Sequence, residues 1–490
     1  MPEPVPVRTV DFNRILTWVN VAFAGVMLFA LAKFGPNEYL DGESVGLALA
    51  FGLQTHLALM VERHRRDPFV VLLAFILIFY FTFRVCTLLL IPFSFVLDRY
   101  EYTVADSNRA LLFIMVANVF LYAGLFAVRG GPRLRIDVQR WHPVRERWML
   151  ALVIATIVFI YTRGVLWSSD AIPRALVFLL LFLSQSIVLL MALAYYILYR
   201  DRMRPGHAML LLGLLVLEMV LHSLAGSRSA FIYSIQNVII VLLAVRGSFA
   251  VRRRLVVVGL AIMPLAVALF ILAFTISTFI RANTEAGQSF SVTRAIETAR
   301  SASDRVGSDY ALRTGLGVMA SRAGFFDYSA EVIAHAREYS GVISPPTYVR
   351  SIIDNLLTPG FDLFDQPKIS NALIFVYSGL GTPSKNASMT AYQSDQLGIW
   401  GELYVLMGWA SLPIFFLAGF LFKRSYVSLR GSDPFVLTMK RVVTLSAFAL
   451  VVNSFGLDWV VMDVLPMLVA IYIYRYFFAA APLPPSVSPT

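Results

Sequence analysis

The sequence predicts an all-α, polytopic membrane protein with about twelve transmembrane helices and one long outer loop carrying short helices. Three observations predict it. The 490 residues are 58% hydrophobic and 14% charged, with a mean hydropathy of +0.72, far from the composition of a water-soluble domain. The apolar residues are gathered into runs near the length needed to cross about 30 Å of hydrocarbon. Unbroken runs of that length satisfy their backbone polar groups only as helices.

In chain order the expected spans are Ile15–Lys33, Val45–Val61, Pro68–Ile91, Arg109–Ala127, Trp148–Trp167, Ala175–Leu198, His207–His222, Phe231–Val245 and Leu255–Ile280. Leu397–Phe422, Val442–Asp458 and Trp459–Phe478 follow. The chain divides accordingly into a membrane part over 1–280, a polar insert over 281–396, a second membrane part over 397–480 and a Pro-rich tail over 481–490. The tail has the composition of a disordered segment. Only a short polar stretch without a small-residue cleavage site precedes the first span, which reads as an uncleaved anchor.

With the amino terminus inside, alternation places Glu62–Asp67, Arg129–Arg147, Arg200–Arg204, Arg246–Arg254 and Lys423–Arg441 on the same side. Each is net basic, whereas the rest of the chain is net acidic. This is the positive-inside pattern, with both termini cytoplasmic. It accounts for the overall charge of +11 without a nucleic-acid partner, because the basic residues are spread over many loops. The one cysteine, Cys86, lies within a span. It forms no intrachain disulfide and supplies no thiolate to the insert.

Ionisable residues within spans are costly and become functional candidates. Arg84 and Arg163 come late in outward spans, Glu218 and His222 end another, and Glu402 and Asp463 lie about one turn into later spans. The outer turn Gly226-Ser227-Arg228-Ser229 adds an arginine, and Arg281 opens the insert. Each could be paired for packing. Their shared depth points instead to a polar chamber opening outward. Arginine forks suit phosphate oxygens, and the acids could orient them or take a proton from a hydroxyl.

The insert holds ten Lys/Arg, eleven Asp/Glu and one histidine. Ser291 is placed to cap a helix over Val292–Val306, with apolar residues at helical spacing. Asp327 is placed to cap Tyr328–Ser340, with Gly341 ending it. Ser344 before Pro345 and Pro346 starts a third helix, ending before Thr358-Pro359-Gly360. These helices are expected to lie on the membrane surface and cover the chamber. His335, one turn after Glu331, forms with it either a base and its orienting partner or a surface i,i+4 pair. Asp327 is a cap or a base. No metal-ligand spacing or P-loop occurs, so no metal and no cofactor is expected. Asn386-Ala387-Ser388 matches a glycosylation sequon.

The layout resembles the bacterial O-antigen polymerases (Wzy-type oligosaccharide repeat-unit polymerases), within the wider group that includes the O-antigen ligases. The resemblance covers roughly Glu218–Phe422. It rests on Gly226–Ser229 between two spans, Phe279-Ile280-Arg281-Ala282-Asn283 entering the long loop, and Gly401-Glu402-Leu403-Tyr404 leaving it. Met407-Gly408-Trp409, Gly419 and the Thr358-Pro359-Gly360…Gln366-Pro367-Lys368 stretch follow the same layout. Arg313 and Gly324 match an arginine-to-glycine spacing of some members, whereas Arg350 and Gly360 miss it by one residue. The ligases carry a histidine just before the span after the loop. Here that region reads Tyr392-Gln393-Ser394-Asp395-Gln396, which favours polymerase over ligase.

The resemblance implies metal-independent glycosyl transfer at the periplasmic face of the inner membrane. The substrate would be a lipid-linked oligosaccharide on undecaprenyl pyrophosphate, and partners would include membrane lipids, a chain-length regulator and a flippase. Arg228, Arg281, Arg313 and Arg322 are the expected pyrophosphate contacts. His335, Glu402 and Asp327 are the candidate bases. A ligase remains open, and so does a transporter or lipid flippase.

Overall fold

The computed structural model describes residues 9–65, 67–90, 102–129, 143–168, 187–224, 230–247, 249–254, 256–259, 261–262, 326–354, 363–369, 372, 398–430, 433–453 and 457–478. At 62–65, 143–144, 160–168, 187, 219–224, 230–234, 457–459, 462 and 476–478 only the backbone course is described. These residues are mostly helical. The first membrane part contains α1 (Phe12–Phe34), α2 (Gly42–Arg65), α3 (Pro68–Leu90), α4 (Val104–Ala127), α5 (Pro143–Ser168), α6 (Ile187–Tyr199), α7 (Pro205–Leu224) and α8 (Ala230–Arg246). The insert contributes α9 (Phe326–Ala334), α10 (Ala336–Tyr339) and α11 (Pro345–Ile352). Then come α12 (Gly398–Met407), α13 (Leu412–Ser428), α14 (Pro434–Asn453) and α15 (Leu457–Phe478).

Among the described residues, six stretches are long and apolar enough to cross a membrane: Phe12–Phe34, Gly42–Val61, Pro68–Leu90, Val104–Ala127, Gly398–Ser428 and Pro434–Asn453. Val188–Tyr199, Pro205–Glu218 and Ile235–Arg246 are shorter apolar helices. The expected span Leu255–Ile280 lies almost wholly outside the described residues.

Local chemistry starts and stops these helices. Asp67 accepts from the Phe69 N–H at 3.0 Å, with Pro68 in the first turn of α3, where a missing N–H costs nothing. Thr103 and Asp106 form a reciprocal box at the start of α4. The expected unbroken helix across Leu397–Phe422 is interrupted instead. Gly408 takes a φ of +57° and opens a 3-10 turn over Gly408–Ser411. Glycine enters that left-handed region at little cost, and Pro413 cannot continue the ladder behind it. A π turn at Ile78–Thr82 likewise interrupts α3.

Packing is tightest where α13 crosses α4. A Cβ on Gly124 would sit 2.0 Å from the Phe416 carbonyl oxygen, and one on Gly419 would sit 2.4 Å from that of Leu121. The two glycines let the backbones meet, the small-residue solution expected where lipid gives no hydrophobic drive between helices. Polar side chains tie further pairs. Asn20 donates to the Gly52 carbonyl at 2.8 Å, Trp400 Nε1 to Asn118 Oδ1 at 3.2 Å and Asn453 to Gln236 at 2.8 Å.

The bundle has two polar ends. Strand β1 (Thr9–Asp11) pairs antiparallel with β2 (Ala250–Arg252). Lys423 binds Asp67. Glu146 accepts from the Arg204 N–H at 3.2 Å and pairs with His207. The charges of Asp433, Arg145 and Arg202 all act on Tyr199, whose burial pushes its phenol up to about 12. Segments that the basic pattern assigns to one side are thus joined to one another. Arg84 lies 17 residues beyond Asp67, or about 25 Å along α3 at the usual helical rise, at the other end. There Asn37 donates to the Leu88 carbonyl at 3.0 Å and the Tyr39 and Tyr102 rings pack 5.3 Å apart.

Candidate functional site

The insert reaches the Arg84 end as part of the protein core. Helix α9 packs between α4 and α12, with every residue from Phe326 to Ile333 buried. For α9 this corrects the expectation of a helix lying on the surface, whereas in α11 Ser351 is the one buried residue. The α9 sequence, Phe-Asp-Tyr-Ser-Ala-Glu-Val-Ile, has apolar residues on more than one face, so burial all round costs little provided the two acids find partners.

Asp327 finds Arg84. Its Oδ2 accepts from Arg84 Nε at 2.9 Å and from Nη2, and both side chains are almost completely buried. Arg84 Nη1 is also 3.3 Å from the Thr87 hydroxyl, which donates to the Arg84 carbonyl at 2.9 Å. Asp327, expected to be a cap or a base, therefore stands one residue inside the helix as the charge partner of Arg84. Its Oδ1 is buried and accepts no hydrogen bond. The Tyr102 hydroxyl is likewise buried without a partner. Burial first, then the Asp327 charge, pushes that phenol well above its ordinary value, with Arg84 opposing.

One turn after Asp327, Glu331 is buried and accepts from the Tyr339 hydroxyl at 3.3 Å. His335 stands 4.0 Å from Glu331 and 3.3 Å from Glu338. It is partly exposed at the junction where α9 gives way to α10. The continuous helix expected over Tyr328–Ser340 is broken at that histidine. At 4.0 Å the Glu331–His335 contact is an i,i+4 pair of a buried carboxylate and a partly exposed imidazole, longer than a hydrogen bond.

Glu402, on α12 in direct contact with α9, is completely buried. Its Oε2 accepts from the Tyr348 hydroxyl at 2.5 Å. Tyr348 is held there by the start of α11, where the Ser344 N–H donates to the Thr347 hydroxyl at 3.1 Å behind the expected Ser-Pro-Pro signal. Asp354 closes the segment, accepting the backbone N–H groups of Leu363, Phe364 and Gln366 at 2.9 to 3.2 Å. Helix α11 packs on α15, where the Lys368 charge acts on Asp463.

Of the candidate residues, Asp327 and His335 lie at the two ends of α9 and Glu402 lies on α12 packed against it, with Arg84 meeting Asp327. Glu218 is buried on α7. Arg228, Arg281, Arg313 and Arg322 lie outside the described residues, as does the helix expected over Val292–Val306; of the Arg163 and His222 side chains nothing is described. Tyr102, Tyr339 and Tyr348 were not singled out from the sequence. A tyrosine in a polar loop carries no periodic signal, and only its partner reveals its role. Among the described residues no three His, Cys, Asp or Glu side chains are grouped as metal ligands would be.

No family model matches the chain, and neither does any curated protein or solved structure.

Proposed function

We propose that this protein polymerises undecaprenyl-pyrophosphate-linked oligosaccharide repeat units into a surface polysaccharide (O-antigen, capsule or exopolysaccharide) by glycosyl transfer. The reaction takes place at the periplasmic face of the bacterial inner membrane, with the Arg84 end outward and the basic Asp67 end in the cytoplasm. One observation carries the reading: a helix of the long polar insert is buried in the bundle, setting Asp327 on Arg84 and lying against the helix of Glu402. A loop that only connected two spans would have no reason to bear the desolvation of those charges.

In the proposed reaction a base, Glu402 or His335 beside Glu331, takes the proton of the acceptor hydroxyl. That oxygen bonds to the anomeric carbon of the donor as the bond from that carbon to the pyrophosphate oxygen breaks. The carrier pyrophosphate leaves with the electron pair. Arg228 and Arg281, with Arg313 and Arg322, stabilise the charge building on it, where fixed donors contribute most. Arg84, already neutralised by Asp327, positions α9.

The deciding experiment is incubation of purified protein with lipid-linked repeat units, followed by sizing of the product. Long polymer is expected. Arg228→Ala and Arg281→Ala should leave single units, and normal chain lengths in both would remove these arginines from the mechanism. Transfer of finished glycan to another acceptor would make the protein a ligase. The interruption at Gly408–Ser411 favours a second reading, because transporters use broken helices to line substrate sites. Movement of the lipid-linked unit across liposomes without chain growth would establish it.

A further inference from the structure

The Asp67 end holds a second buried polar cluster, contributed by α3, α13 and α14. Both oxygens of Asp67 are engaged: one by the Lys423 ammonium, the other by the Phe69 N–H at 3.0 Å. The Phe69 ring packs edge-on to Tyr426 at 5.2 Å. On the same tyrosine, the guanidinium of Arg441 stands 5.9 Å from the ring centre. Arg441 is 3% exposed. Its Nε and Nη1 are buried with no hydrogen-bond partner, and so is the Tyr426 hydroxyl.

A guanidinium offers five donors and no acceptor, and the phenol adds another donor. Arg441 Nε and Nη1 and the Tyr426 hydroxyl therefore converge here without a hydrogen-bond acceptor. Among the described residues, the charges of this cluster are Lys423 and Arg441 against Asp67. A buried cation persists only when paired and hydrogen-bonded. The tyrosine face offsets part of that cost but accepts no N–H in the plane of the fork. Water would accept the bonds and leave the charge.

We infer that Arg441 and Tyr426 bind a phosphate group. The planar fork of arginine matches its oxygens bidentately. An acidic phospholipid headgroup and free inorganic phosphate present the same chemistry. Basic pockets between spans are established sites for such headgroups. The inference is independent of the polymerase reading, because it concerns the other end of the bundle.

The test is thermal unfolding of the full-length protein in nanodiscs, at matched ionic strength. Three conditions are compared: phosphatidylcholine alone, phosphatidylcholine mixed with phosphatidylglycerol, and phosphatidylcholine with millimolar inorganic phosphate. Wild type should unfold about 2–4 °C higher with the occupied site. A rise with phosphatidylglycerol alone identifies the lipid, and a rise with phosphate as well identifies a site open to small anions. Arg441→Met should abolish the rise and Arg441→Lys should retain part of it. No rise in either condition, or an equal rise in Arg441→Met, overturns the proposal. Should Arg441→Met fail to fold, Tyr426→Phe decides: a reduced rise upholds the site and a full rise overturns it.

Discussion

The carboxylate of Asp327 holds the guanidinium of Arg84 across 243 residues of sequence, with both side chains removed from solvent. This pair anchors the polar insert in the bundle, and its geometry makes the consequences of breaking it unequal. Asp327→Asn removes the carboxylate charge that faces the buried arginine, which costs about 3–5 kcal/mol. Replacing both residues by apolar ones of similar size, Arg84→Met with Asp327→Leu, should restore most of that loss. Thermal unfolding in detergent of wild type, Arg84→Met, Asp327→Leu and the double variant closes the cycle. Additive losses would show that the pair contributes nothing as a pair.

Glu402→Gln keeps an acceptor for the Tyr348 hydroxyl but removes the base. Fold and expression should stay near wild type, while polymer formation falls by about 10²–10⁴-fold if Glu402 takes the proton. Tyr348→Phe should lower the rate less. Gel sizing of the glycan, with unfolding temperature as control, separates chemistry from collapse.

The crossing of α4 and α13 leaves no room for a methyl group at Gly124 or Gly419. Alanine at either position should cost about 1–3 kcal/mol, because backbone has to move. Gly25→Ala is the control, since nothing lies within 4 Å of its added Cβ. Equal stability of all three variants would show that the helices are further apart.

Asp41 accepts the Ser44 N–H at 2.8 Å at the start of α2, and that bond holds its carboxyl below the usual 3.8. The folded state therefore favours the carboxylate, and the unfolded chain binds the proton more readily. The contribution is complete above pH 3.8 and is lost as pH falls through the lower folded value. Asp41→Ala should cost about 1 kcal/mol at neutral pH, as a lost helix cap does. The gap to wild type should close in acid. A gap that is constant with pH would assign the effect to packing.

Much of this architecture is legible without coordinates. Run length and hydropathy locate the helices, since crossing hydrocarbon is a demand each segment meets by itself. Loop charge groups the Asp67, Arg204, Arg252 and Lys423 segments, and the Ser344-Pro345-Pro346 signal starts α11 where it should. Arg84 and Glu402 are visible in the sequence as charges expected near the outer ends of their spans.

Tertiary structure alone decided that α9 is buried, that Asp327 meets Arg84, and that Tyr348 reaches Glu402. It also broke the expected span at Gly408 and isolated Arg441 beside Tyr426. Hydropathy and capping are read within a window of neighbouring residues. Which charge meets which is settled between segments hundreds of residues apart, by the free energy of burying both together, and no local pattern encodes that choice.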